Sequence, residues 1–130
     1  MGFDQYHEPP EELSAETRTL ARMFASLTEE AEAISWYTQR LELESDKDAK
    51  AIMENAREEE FKHFSMDLEF LLRRTPLWRD IAQGILFQGG DIVEHGDAAE
   101  ESAVEGAADR GEPLAGSESL GIGSVRAVAS

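Results

Sequence analysis

The chain has 130 residues, of which 28 are acidic and 12 are basic, for a formal net charge of −16. Such a negative chain repels nucleic-acid phosphates and anionic membranes, and no segment approaches the roughly 20 apolar residues of a membrane span. Because it has no cysteine, disulfides, thiolate zinc sites and iron–sulfur clusters are excluded, which fits a cytoplasmic protein.

Residues 1–12 are predicted to be a flexible segment. The N-terminal stretch MGFDQYHEPPEEL is acidic and has no apolar core, so no secretory signal is expected there. The first helix is predicted from Leu13 to Leu43, a stretch without Gly or Pro. Its apolar residues recur at three- and four-residue steps, as they do on one face of a helix: Leu20, Met23, Phe24, Leu27, Ala31, Ile34 and Leu41.

A second long helix is predicted after the SDKD stretch. Ser45 is its expected cap, with Asp48 following three residues later. The helix ends near Arg73–Arg74, whose positive charges suit a helix C-terminus. The short connection forces the two long helices into an antiparallel hairpin.

A short third helix is predicted next, with Thr75 as its cap, Pro76 at its first position and the sequence LWRDIAQGILFQ. Trp78 is expected in the core, where it would pin this helix. Beyond the Gly89–Gly90 pair the chain is mostly Gly, Ala, Glu and Ser, which bury too little apolar area to offset chain entropy. Residues 89–118 are therefore predicted to be a disordered acidic linker.

The predicted folded part, residues 13–88, does not enclose a core by itself. A lone hairpin buries one apolar face and leaves another in water, so folding is expected to require a partner, most simply a second copy. Two hairpins packed together form a four-helix bundle. The predicted fold is therefore all-α, with the bundle completed by homodimerisation.

A possible metal site is marked by Glu60 and His63 on the second helix. Residues three apart in the sequence share a helix face, so their side chains can bind the same cation. On the first helix, Glu30 is in phase with apolar Leu27 and Ile34, and a buried carboxylate is unfavourable unless something neutralises it. Di-iron carboxylate bundles take a Glu from each of two helices and a Glu-x-x-His from each of two others. This chain holds half of that set, and a twofold dimer would supply the rest.

Each member of this set has a plainer interpretation when taken alone. Glu-x-x-His arises often by chance in an acidic helix, Glu30 alone is more simply a solvated residue, and Trp36 and Tyr37 would ordinarily be core aromatics. Other residues are expected to face solvent: Glu58, Glu59, Asp67, Glu69, His7 and His95. It is the combination on two paired helices that favours a metal site.

At these residues the chain resembles the encapsulated ferritins. The resemblance lies in EEAEAISWYTQR (29–40) and NAREEEFKH (55–63), and it continues through LEFLLRR and LWRD. It implies a ferritin-like bundle in which two-helix protomers dimerise around a ferroxidase centre and dimers close into an annular decamer.

The same resemblance implies roles for individual residues. The implied di-iron ligands are Glu30, Glu60 and His63. Tyr37 is implied to lie beside the iron centre, and Trp36 near the path by which iron enters. The carboxylates that would guide iron inward are Glu29 and Glu32. Whether calcium or another ion occupies that access region stays open.

Residues 119–130 resemble the peptide by which cargo docks inside encapsulin shells. The resemblance centres on Leu120, Gly121, Ile122, Gly123, Ser124 and Val125. The apolar members offer anchors, and the glycines let the backbone lie close to a groove. A flexible linker would let the folded body dock on a shell of different symmetry. The alternative is an unremarkable disordered terminus.

Together these features predict a ferroxidase that delivers iron for storage as mineral inside an encapsulin nanocompartment. Iron would be drawn by the negative field, held between paired Glu and His sets, and oxidised by dioxygen or another oxidant. Three alternatives stay open: a helical adaptor without iron, a rubrerythrin-like peroxidase and a hemerythrin-like oxygen carrier. The peroxidase usually needs an electron-supplying partner or rubredoxin-type cysteines, and the carrier needs more histidines than these helices hold.

Overall fold

The computed structural model describes residues 4–112, and every regular element in that range is helical. A single 3₁₀ turn, Pro10–Glu12, precedes four α-helices: α1 (Ala15–Leu43), α2 (Lys47–Arg73), α3 (Pro76–Ile85) and α4 (Ile92–Asp109). The predicted all-α class is confirmed, with one helix more than expected. None of these helices combines the length and hydropathy needed to cross a bilayer. The chain divides into two compact units, one ending at Arg74 and one beginning at Thr75.

The first unit is a hairpin of α1 and α2 joined by a short connection, so the two helices run antiparallel as predicted. Ser14 caps α1, and its hydroxyl oxygen accepts a hydrogen bond from the backbone N–H of Thr17 at 3.1 Å. The cap of α2 is Asp46, whose carboxylate accepts from the N–H of Ala49 at 2.9 Å. The prediction of Ser45 as the cap was wrong, because α2 begins one residue later than the capping pattern suggested.

The hairpin leaves much of its apolar surface uncovered. Its buried side chains are Leu41, Leu71 and Leu72, of which Leu71 is fully buried. Several large apolar side chains are 39 to 70% exposed: Phe24, Trp36, Ile52, Phe61 and Met66. Two helices can cover each other on only one face, so these side chains stay in water unless another helix packs on them.

The second unit contains α3 and α4. Thr75 occupies the cap position of α3 but makes no side-chain capping bond, and Pro76 follows at the first position as predicted. The helix ends at Ile85, short of the predicted end at Gln88. Trp78, predicted in the core, is half-buried.

Helix α4 overturns the predicted disorder for much of residues 89–118. Its buried face is made of small residues, Ala103 and Ala107. Ala99 lies so close to α3 that a Cβ built on Gly84 would fall 2.5 Å from the Ala99 Cβ. Alanine has the highest helix propensity, and small side chains let two helices approach closely. The segment therefore packs without the large residues whose absence suggested disorder.

Polar contacts anchor both ends of α4. Asp91 caps its N-terminus, accepting a backbone N–H at 2.9 Å. His95, predicted to be exposed in a flexible segment, lies half-buried in α4 with its ring Nε2 2.7 Å from the carbonyl oxygen of Gly89. At the other end, Arg110 Nη2 lies 3.3 Å from Asp80 Oδ2 of α3. The first two contacts fix the start of α4 and the connection before it, and the Arg110–Asp80 pair joins the end of α4 to α3.

Candidate metal centre

The register of the hairpin places Glu30 of α1 opposite Glu60 of α2. Glu30 lies 13 residues before the end of α1 at Leu43, and Glu60 lies 13 residues after the start of α2 at Lys47. In an antiparallel pair these two positions lie at the same height along the hairpin axis, about 20 Å from the connection at 1.5 Å per residue. Side chains lean toward the N-terminus of their helix, so Glu30 leans away from the connection and His63 leans toward it. The two side chains therefore converge.

The structure brings the three predicted ligand residues together. Donor atoms of Glu30, Glu60 and His63 all lie within 4.8 Å of one another, and each residue is half-buried. His63 Nδ1 is 3.3 Å from Glu60 Oε1, the contact expected of side chains one turn apart. Two carboxylates and an imidazole form a donor set that suits a divalent first-row metal ion.

The environment of Glu30 disfavours its negative charge. Its pKa is raised from 4.5 to about 7, first because burial removes water from the carboxylate. A hydrogen bond with the carboxyl group of Asp67 and the negative charges of Asp67 and Glu60 raise the pKa further, while His63 acts in the opposite direction. Glu30 Oε1 is buried and has no hydrogen-bond partner. A buried oxygen of this kind is unfavourable unless a proton or a metal ion satisfies it.

Asp67 contacts Glu30 from one turn beyond His63, so the prediction that it faces solvent was wrong. It is half-buried on α2, and its carboxyl group interacts with that of Glu30. Its Oδ2 atom is also buried without a hydrogen-bond partner. The sequence did indicate this position of Asp67, through its spacing from the ligand residues of α2. Asp67 follows His63 by four residues and Glu60 by seven, which places all three on one helix face.

The other residues with roles implied by resemblance occupy more exposed positions. Glu29 and Glu32 are exposed on α1. Trp36 is 52% exposed, and Tyr37 is half-buried with the guanidinium carbon of Arg40 5.4 Å from its ring centroid. Their roles in guiding iron or flanking the centre stay predictions.

Several acidic residues of α2 are surface charges. Glu58 and Glu59 are exposed as predicted, and Glu59 pairs with Lys62 at 2.8 Å, which lowers the pKa of Glu59. Glu69 pairs with Arg73 at 2.7 Å. Such solvated pairs contribute little to stability and need no metal to balance their charge. They contrast with Glu30 and its neighbours, which the hairpin partly removes from water.

The hairpin and α3 together match a known family. The family model described as EncFtn-like matches residues 5–89. A ferritin-like protein of Thermotoga maritima is 42% identical over 91 residues, covering 70% of this chain and 80% of the relative. An encapsulated ferritin-like protein of Rhodospirillum rubrum is 39% identical over 122 residues, covering 92% of this chain and 86% of the relative. The crystal structure of protein ne0167 from Nitrosomonas europaea has a TM-score of 0.66 and 42% identity, covering 68% of this chain and 98% of that one.

Proposed function

The chain belongs to the EncFtn-like family of encapsulated ferritin-like proteins, and we propose that it is a ferroxidase that oxidises Fe(II) to Fe(III) at a di-iron site. The observation that carries this proposal is the donor group of Glu30, Glu60 and His63. Its atoms lie within 4.8 Å of one another, and one buried carboxylate oxygen beside them has no hydrogen-bond partner. A metal ion bound by all three residues would satisfy that oxygen.

In this proposal the site is completed by a second copy of the chain. One protomer supplies one Glu and one Glu-x-x-His pair, which is half of the ligand set of a di-iron carboxylate bundle. A twofold axis through the site would add the other half. The exposed apolar side chains of the hairpin, such as Phe61 at 46% and Met66 at 55%, support the same assembly because they need a covering partner.

The chain's own residues attract, bind and orient the iron substrate. The net charge of −16 draws cations toward the protein. The carboxylates of Glu30 and Glu60 bind hard cations and can bridge two of them, while the imidazole of His63 holds one side. Glu30, with its pKa of about 7, releases its proton as the cation binds. Two Fe(II) ions then give two electrons, which with two protons reduce dioxygen to hydrogen peroxide.

The ferric product would be stored as mineral inside an encapsulin nanocompartment. Family membership supports this location, and the peptide at Leu120 to Val125, which lies outside the described residues, is proposed to bind the shell. Dimers would assemble into an annular decamer. Glu29 and Glu32 would guide iron inward, with calcium as a candidate ion in that access region.

Anaerobic loading with Fe(II), followed by air, tests this function. Full-length protein is purified metal-free, its oligomer mass is measured by light scattering, and ferric absorbance is followed together with bound iron per chain. His63→Ala or Glu60→Gln removes a ligand, so we expect the oxidation rate to fall by at least about tenfold to a hundredfold. The exposed Glu58→Gln on the same helix is the matched control and should oxidise iron at the normal rate.

The possible outcomes separate the competing functions. Normal oxidation by both ligand variants would contradict the proposal. A wild-type chain that binds no iron would indicate a helical adaptor, and turnover of hydrogen peroxide with a reductant would indicate a rubrerythrin-like peroxidase. A fully active monomer would contradict the shared site.

A further inference from the structure

Asp67 is a half-buried acidic residue, with one buried carboxylate oxygen, that the proposed ligand set does not use. On α2 it stands one turn beyond His63, and it leans toward the connection, as α2 side chains do. Glu30 leans the opposite way from α1, so the two carboxyl groups meet. The described structure gives Glu30 two sets of neighbours on α2: the pair Glu60 and His63, and Asp67.

The contact between Glu30 and Asp67 is unfavourable when both are ionised. Two carboxylates repel each other, and the hairpin partly removes both from water. One oxygen of each side chain, Glu30 Oε1 and Asp67 Oδ2, is buried without a hydrogen-bond partner. A surface aspartate would leave such an atom in water, and a structural aspartate would bond it to a backbone N–H or a basic group. A cation between the two carboxylates would satisfy both oxygens, and it would replace the proton that the two groups share in its absence.

Given the function proposed above, we infer that Asp67 is a further metal-binding carboxylate of this site, and that its charge makes the site prefer trivalent to divalent ions. In a twofold dimer, four ligand glutamates match the charge of two Fe(II) ions. Two Asp67 carboxylates add two further negative charges, so that the total balances the positive charge of two Fe(III) ions. Each iron loses one electron to dioxygen, and no protein bond is made or broken. Asp67 therefore stabilises the ferric product over the ferrous substrate.

Metal titration tests this role without relying on iron oxidation. Metal-free, full-length protein is titrated with Tb³⁺, followed by its luminescence, and with Mn²⁺, followed by calorimetry. Asp67→Asn keeps the side-chain shape and removes the charge. We expect it to weaken Tb³⁺ binding by about tenfold or more, with a smaller effect on Mn²⁺. Asp67→Glu, which keeps the charge, should retain the preference for Tb³⁺, and Asp48→Asn on the exposed start of α2 should behave as wild type.

The results distinguish this role from ferroxidase activity. Unchanged Tb³⁺ affinity in Asp67→Asn, or equal weakening of both ions, would overturn the role of Asp67, whether or not the protein oxidises iron. Tb³⁺ binding that depends on Asp67 in a protein that oxidises no iron would support the role and refute the proposed activity. Oligomer mass and circular dichroism show whether Asp67→Asn folds. If it does not, Asp67→Ser, which is smaller and uncharged, is titrated in its place.

Discussion

Replacing Glu30 by Gln should stabilise the metal-free protein while removing a proposed ligand. The pKa of Glu30 rises from 4.5 to about 7 on folding, chiefly through burial. At about 1.4 kcal/mol per pH unit, that change corresponds to roughly 3 kcal/mol of unfavourable free energy when Glu30 is ionised. Because the side chain is only half-buried, solvent screening reduces this to about 1–2 kcal/mol.

The sign of the effect follows from proton linkage. The folded protein binds the Glu30 proton more tightly than the unfolded chain does, so folding is not penalised below pH 4.5, where both states are protonated. The penalty grows as pH rises from 4.5 to about 7 and is complete above that pH. Gln carries no charge at any pH, so Glu30→Gln should match wild type near pH 4.5 and exceed its stability near pH 8.

Urea unfolding in the presence of a chelator measures this difference. The comparison at both pH values includes wild type, Glu30→Gln and, as a control, Glu29→Gln at the exposed neighbouring position. All are measured at one protein concentration, because assembly also changes apparent stability. A stabilisation by Glu30→Gln that is equal at the two pH values, or that the control reproduces, would refute the burial-based explanation. So would a loss of stability at pH 8.

Two further predictions concern the fold. Gly84→Ala should destabilise the α3–α4 unit by about 1–3 kcal/mol, because the new Cβ would lie 2.5 Å from the Cβ of Ala99. Gly89→Ala is the control and should leave stability unchanged, because the space around Gly89 is open. Faster hydrogen exchange in α4 of the Gly84→Ala variant would report the loss. Asp46→Ala should lower the free energy of unfolding by about 1 kcal/mol through loss of the α2 cap, and Ser45→Ala should leave it nearly unchanged. The reverse order in urea unfolding would show that Ser45 is the cap in solution.

The two long helices were predictable because their signals are local. Apolar spacing over three and four residues and the absence of Gly and Pro located α1 and α2 to within a few residues. The Glu60–His63 pair is equally local, since residues three apart share a face in any helix. Helix α4 was missed because its core is made of alanine. Amino-acid composition shows that the segment has few large side chains, but it does not show that Gly84 of α3 leaves room for close packing.

The sequence by itself determined the two long helices, the all-α class and the residue types from which a metal site can be built. Tertiary structure decided which of these residues meet. Equal distances from the hairpin connection set Glu30 at the height of Glu60. Its helix face, which it shares with apolar Leu27 and Ile34, turns it toward α2, whereas Glu29 and Glu32 stay exposed. The same packing partly removes Asp67 from water. Burial and register depend on two segments far apart in the chain, so no local pattern specifies them.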